Sequence, residues 1–166
     1  LYGGIVIDTQ EFTSQTGVRT FEAAAYLRRC GADITRIRKN FREDLKDYQA
    51  KAEAISGAEI YRDAYAISSL KAQGLESPTV VCAQSANELL NIRGIKASVV
   101  MTSWNGKVYV SARSIDEMNV QVLMEKLGGG GHRTVAGAQF KAGKIPEIIA
   151  QVKKAIDQMI EEGEVS

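Results

Sequence analysis

Asn105-Gly106 sits between two runs that alternate apolar and polar residues, from Lys96 to Trp104 and from Lys107 to Ser114. This is the strongest short-range signal for a two-residue β-hairpin, because both turn positions need a positive φ that asparagine and glycine tolerate. A hairpin fixes register, and register fixes faces. Trp104 is then opposite Lys107 and Ser98 opposite Arg113. Val99, Met101, Val108, Val110 and Ala112 share one face, the core face. Ser98, Thr102, Tyr109, Ser111 and Arg113 share the other, a polar face with Val100 among them. A strand arginine flanked by hydroxyls fits either a solvated edge or a ligand-facing position, and the pattern leaves both open.

The second constraint is Gly128-Gly129-Gly130-Gly131-His132-Arg133. Glycine in regular structure costs about 0.5–1 kcal/mol relative to alanine. One glycine suffices to end the preceding helix. The other three imply a backbone that something approaches closely, with amides exposed for hydrogen bonding. The only histidine and an arginine follow directly, which suits an anion, above all a phosphate. The alternative role for His132 is a structural one, bonding a nearby carbonyl.

A chain of 166 residues with 45% hydrophobic content can hold one ordinary domain or two small ones. The net charge of +1 provides no global field for long nucleic acid or an anionic bilayer, but leaves room for a small anion. Cys30 and Cys82 have no metal-binding or disulfide spacing, which favours a reducing compartment. No apolar run reaches the roughly 20 residues of a membrane span, and no signal peptide is visible. The chain begins at Leu1 inside an apolar segment, without an initiator methionine, and reads as a piece of a longer protein.

Along the chain, Leu1 to Asp8 is apolar and ends in a carboxylate. Thr20 is a candidate cap for a helix reaching about Cys30, with Gly31 as its stop. Residues 34–57 are charged and helix-compatible, anchored by Phe41, Leu45 and Tyr48, as in a solvated connecting helix. The cluster Arg28, Arg29, Arg36, Arg38, Lys39 and Arg42 is interleaved with acids and reads as a surface face rather than a nucleic-acid patch. A second lobe begins near Ala58, with strand-like alternation from Asp63 to Leu70 and a short apolar run from Thr79 to Ala83. Ser85 to Glu88 has capping-box spacing. Val120, Leu123, Met124 and Leu127 make a helix capped by Asn119, and Thr134 to Phe140 reads as a strand. The stripe from Ile145 to Ile160 is the core face of a final helix with Pro146 in its first turn.

Two segments together resemble one family. Gly4 to Thr9, Phe12-Thr13 and Gly17 to Ala24 resemble the end of a DHH phosphoesterase domain. Asn119 and the glycine-histidine run resemble the DHHA1 domain that follows it. Within that superfamily the chain is most similar to the bacterial cyclic-di-AMP phosphodiesterases. The resemblance implies an α/β fold: a DHHA1-type domain with a small mixed sheet flanked by helices. A helical remnant of the DHH domain and a connecting helix would precede it. The implied divisions are 1–33, 34–57 and 58–166. The apolar surface of Leu1, Ile5, Val6 and Ile7 would be exposed or covered by a neighbouring chain.

The resemblance also implies a parent phosphodiesterase that hydrolyses cyclic-di-AMP to pApA with manganese, facing the cytosol from a membrane-anchored protein. Asp8 would be a metal ligand. Gly129, Gly130, Gly131 and His132 would hold a phosphate and its nucleotide, with Ser111, Arg113, Ser114 and Asn119 lining the same cleft. No catalytic set is complete here, because the aspartate-rich and Asp-His-His motifs of the family are absent from these residues. The fragment is therefore expected to be inactive alone and to bind no manganese stably. Its expected partners are cyclic-di-AMP or pApA and the upstream DHH domain, with a homodimer left open and long nucleic acid not expected. The rivals are an oligoribonuclease or single-strand exonuclease of the same superfamily, and a non-catalytic nucleotide- or tRNA-binding module.

Overall fold

The computed structural model describes residues 1–9, 12, 15–40, 42–141 and 143–165. Thr13 and Phe41, both singled out above, lie outside the described residues. The chain divides into two compact units, Leu1–Glu43 and Asp44–Ser166.

The first unit is helical: α1 (Tyr2–Asp8), α2 (Val18–Arg29) and α3 (Ile34–Asn40). Gly17 is the N-cap of α2, and Thr20 is one turn in, its hydroxyl accepting the Gly17 amide at 3.3 Å. The helix therefore starts before the residue expected to cap it. Gly31, at φ +93°, follows the end of α2 as anticipated. Phe12 and Phe21 stack at 5.4 Å. Leu1 and Ile7 are exposed, while Ile5 and Val6 are half-buried.

The second unit carries α4 (Leu45–Ser56), β1 (Glu59–Tyr61), β2 (Tyr65–Lys71), α5 (Pro78–Leu89), β3 (Ala97–Trp104), β4 (Lys107–Ser114), α6 (Val120–Lys126), β5 (Gly130–Gly131), β6 (Val135–Phe140) and α7 (Ile145–Glu161). Its strands form one sheet in the order β1-β2-β3-β4-β6-β5, with only β2 and β3 parallel. The hairpin register is the one read from the sequence, with Trp104 opposite Lys107 and Ser98 opposite Arg113.

One face packs Val99, Met101, Val110, Ala112, Ala136 and Ala138 against α6 and α7 in a single apolar cluster. Ile148, Val152, Ile156 and Met159 on α7 are fully buried there, so the expected core stripe is core. The opposite face is not simply polar. Helix α5 covers β3, and Val100 packs with Val81, Cys82, Ala86 and Leu89. The strand hydroxyls are buried too: Ser98 donates to the Ala86 carbonyl at 2.6 Å and Thr102 to that of Leu70 at 3.0 Å. A buried hydroxyl needs such a partner, and a helix carbonyl or neighbouring strand provides it.

Three local readings change. Residues 34–57 form two helices, and α4 packs Ala54 into the α5 cluster rather than standing in solvent. Thr79 to Ala83 and Ser85 to Glu88 both lie inside α5, which starts with Pro78 after Ser77. Ser85 is consequently no cap, and its hydroxyl bonds back to the Val81 carbonyl at 2.8 Å. Asp63 is in the turn between β1 and β2, at φ +58°, and the strand begins two residues later.

Candidate functional site

The glycine run follows α6, whose N-terminus is capped as expected: the Asn119 side chain accepts the Gln121 amide at 3.1 Å. At the other end, the Gly128 amide donates to the Glu125 carbonyl at 3.0 Å and that of Gly129 to Met124 at 2.8 Å. This paired arrangement is a Schellman motif, and Gly128 at φ +78° occupies its left-handed position. Gly129 is required for a different reason. A Cβ there would collide with the Gly137 carbonyl and with Ala138. Gly131, at φ +149°, would place a Cβ 2.5 Å from the Ala136 Cα.

Three of the four glycines are thus demanded by the fold itself, Gly128 by its φ and Gly129 and Gly131 by the close approach of β6. Nor do the amides form the open cradle expected of them, since Gly128, Gly129 and His132 all donate to the chain's own carbonyls. Gly130 alone has neither a left-handed φ nor any atom within 4 Å of a Cβ placed on it.

Directly opposed residues in an antiparallel ladder project to the same face. Arg113 is opposite Val135, and Val135 exchanges both backbone hydrogen bonds with His132, at 2.7 and 3.2 Å. His132, Val135 and Arg113 therefore form a row across three strands. The next row on that face is Gly130, Gly137 and Ser111, and the one beyond pairs Gln139 with Tyr109. Two glycines in the middle row leave a floor without side chains. A cleft of about 570 Å³ opens over the Gly137 end of this row, lined by Tyr109, Ser111, Gly137 and Gln139, while Gly130, Arg113 and His132 lie outside its lining. Gly128 and Gly129 border it, as does Thr79 from the first turn of α5. Its size lies in the range of small-molecule sites.

Arg113 is half-buried, and burial pulls its pKa below the ordinary value. It donates to the neighbouring Ala112 carbonyl at 2.8 Å, and no carboxylate among the described residues is paired with it. Arg133, by contrast, is tied to Asp116. On α5, packed against the same sheet face, the Cys82 thiol donates to the Val100 carbonyl at 3.0 Å, and burial pushes its pKa up to about 12.

The structure thus brings Ser111, Arg113, Gly130 and His132 to one face. It places Ser114 on the other, buried, with its hydroxyl donating to the Met118 carbonyl at 2.6 Å. Asn119 serves the helix that delivers the glycines. Asp8, exposed at the end of α1, belongs to the first unit. Among the described residues no group of three or more His, Cys, Asp or Glu side chains converges. No helix among them is long and apolar enough to cross a membrane. Tyr109, Gln139 and Thr79 were not singled out as site residues from the sequence. The hairpin register already put Tyr109 on the polar face. Gln139 needed the β4–β6 pairing.

The chain is 43% identical over 158 residues to the cyclic-di-AMP phosphodiesterase PdeA of Listeria monocytogenes, covering 95% of this chain and 24% of that protein. It is 43% identical over 167 residues to the cyclic-di-AMP phosphodiesterase GdpP of Geobacillus thermodenitrificans, covering 98% and 25%. The chain therefore spans about a quarter of the length of these relatives. Among solved structures, an exopolyphosphatase-related protein from Bacteroides fragilis superposes with a TM-score of 0.80 at 20% identity, over 93% of this chain and 48% of that one, a likeness of fold. The DHHA1 domain model matches residues 63–158, the span that holds the whole β2–β6 sheet and its cleft, and the chain belongs to the DHHA1 family.

Proposed function

We propose that this chain is the nucleotide-recognition part of a manganese-dependent phosphodiesterase that hydrolyses cyclic-di-AMP to pApA. The observation that carries the reading is the row His132–Val135–Arg113. It holds a half-buried guanidinium, with no carboxylate paired to it among the described residues, on the same face as the histidine, at the edge of a cleft floored by glycine. A guanidinium in that setting favours a phosphate, which it can meet with two parallel N–H···O bonds. His132 supplies a second contact, and the bare backbone of Gly130 and Gly137 lets a flat group lie close to the sheet. Ser111 offers a hydroxyl from the same row. Ser114 and Asn119 contribute indirectly, by holding the loop before α6 and the helix itself. The relatives' names support the substrate class.

Hydrolysis itself falls to the longer protein in this reading. Asp8 would provide one carboxylate toward manganese, which when bound would supply an activated water. The remaining ligands would come from an upstream DHH domain, of which residues 1–33 are the end, with 34–57 leading to the recognition domain over 58–166. The parent would face the cytosol from a membrane anchor. The test is calorimetric titration of this chain with cyclic-di-AMP, pApA and AMP, repeated on His132→Ala with a thermal melt. Affinity for pApA should fall by about one to two decades, as expected for a lost charge-assisted bond of roughly 1.5–3 kcal/mol, while the melt is unchanged. A lowered melting temperature with affinity intact makes His132 a structural residue and overturns the assignment.

A further inference from the structure

Two residues of the cleft have no role in holding a phosphate. Tyr109 and Gln139 are directly opposed across β4 and β6, two rows beyond Arg113 on the same face. Tyr109 and Arg113 are four positions apart along β4, about 13 Å between their Cα atoms. A dinucleotide with one phosphate at Arg113 spans that length and brings a base to this pair, across the glycine floor.

The pair has the chemistry of a base site. The Tyr109 ring is half-buried and braced by Trp104, with ring centroids 6.0 Å apart at 50°. An aromatic ring held in this way provides a stacking surface for a base. Gln139 is exposed, and no hydrogen bond among the described residues engages its amide or the Tyr109 hydroxyl. An amide presents one acceptor and one donor side by side. Adenine offers the matching order, its N6 amine donating and its N7 accepting, whereas guanine offers two acceptors, O6 and N7.

We infer that Tyr109 and Gln139 form an adenine-selecting subsite, Tyr109 stacking on the base and Gln139 reading its N6/N7 edge. The inference rests on the nucleotide reading of the cleft and adds the source of its base preference. Gly137 is already required by the sheet, since a Cβ there would lie 2.9 Å from the Val110 carbonyl, and its lack of a side chain leaves the way between base and phosphate open.

The experiment is titration of the full chain with pApA and with pGpG, for the unaltered protein, Gln139→Ala and Gln139→Arg, each checked by thermal melt. Gln139 is an exposed strand residue, so both variants should fold. The unaltered chain should prefer pApA by about tenfold or more. Gln139→Ala should bring the two affinities together. Gln139→Arg should invert the order, because a guanidinium donates to both guanine acceptors. Its added charge strengthens both ligands alike, so the ratio is the readout. Tyr109→Leu should weaken both dinucleotides without changing their ratio. If the unaltered chain binds both equally, or if the ratio is the same in both Gln139 variants, the subsite is overturned and the nucleotide reading stands. If it binds neither, the nucleotide reading itself fails.

Discussion

His132 and Arg113 stand on one face of the sheet, each paired or bonded to Val135 between them. They are 19 positions apart in sequence, yet register alone sets them two strand spacings apart, about 10 Å between Cα atoms. Replacing Arg113 by Met keeps an apolar stem of similar length and removes the charge. Affinity for pApA should drop by one to two decades, roughly 1.5–3 kcal/mol. An equal affinity in titration would show that the guanidinium does not meet the ligand.

The glycine run should separate into two behaviours. Gly131→Ala must force a Cβ into the Ala136 backbone at a left-handed φ, and Gly129→Ala meets the Gly137 carbonyl. Each should lower stability by about 1–3 kcal/mol or more in urea melts. Gly130→Ala meets nothing within 4 Å and should leave the melt unchanged or slightly raised. Its methyl nevertheless intrudes on the cleft side of the sheet, and pApA affinity should fall. Unaltered binding by that variant would remove the ligand as the reason for this glycine.

Cys82 and Cys30 should differ in reactivity. The Cys30 side is exposed, whereas Cys82 is buried with its pKa pushed to about 12. At pH 8 one thiol per native chain should react with a disulfide reagent, and two after denaturation. The stability consequence has a definite sign. Between the ordinary value of 9.0 and about 12 the native thiol keeps a proton that the unfolded one has lost. The native state then binds more protons, so this group makes stability fall as pH rises through that window. A Cys82→Ala variant should show a flatter alkaline limb in urea titrations from pH 8 to 11.

Leu123 is fully buried in the cluster formed by α6, α7 and the sheet. Leu123→Ala should cost about 2–5 kcal/mol, from lost burial and the cavity left behind. Because α6 delivers the glycine run, nucleotide affinity measured below the melting temperature should also weaken. A destabilised variant with full affinity would show that the loop is held without its helix.

Asp8 tests the proposed division of labour. In the full-length protein Asp8→Ala should lower manganese affinity and turnover, while amide-exchange protection across 58–165 stays unchanged. The isolated chain should not hydrolyse cyclic-di-AMP, with or without manganese. Turnover by nuclease-free preparations of this chain would overturn the assignment of catalysis to the proposed upstream domain.

The Asn105-Gly106 turn, its register, the Asn119 cap, the Pro146 start and the α7 stripe were all legible in the sequence, because each depends on residues within a few positions of one another. Turn chemistry and periodicity are local physics. The same local reading mistook what lies between elements. Ser85 has the spacing of a cap, but the apolar demand of the β3 face extends α5 back to Pro78. Residues 34–57 look soluble as a helix, yet Ala54 finds a pocket against α5 that only the packed sheet creates.

The glycine run shows the boundary most sharply. Its composition announced a close approach, and the tertiary structure decided by what: β6 for Gly129 and Gly131, a helix terminus for Gly128, and open space for Gly130. Likewise, Arg113 and Ser114 are neighbours in sequence but lie on opposite faces, since strand side chains alternate. The sequence by itself determined which residues could meet an anion. Only the pairing of β4 with β6, and of β6 with the glycine strand, decided which of them share a face, because strand order is set by long-range burial that no local window contains.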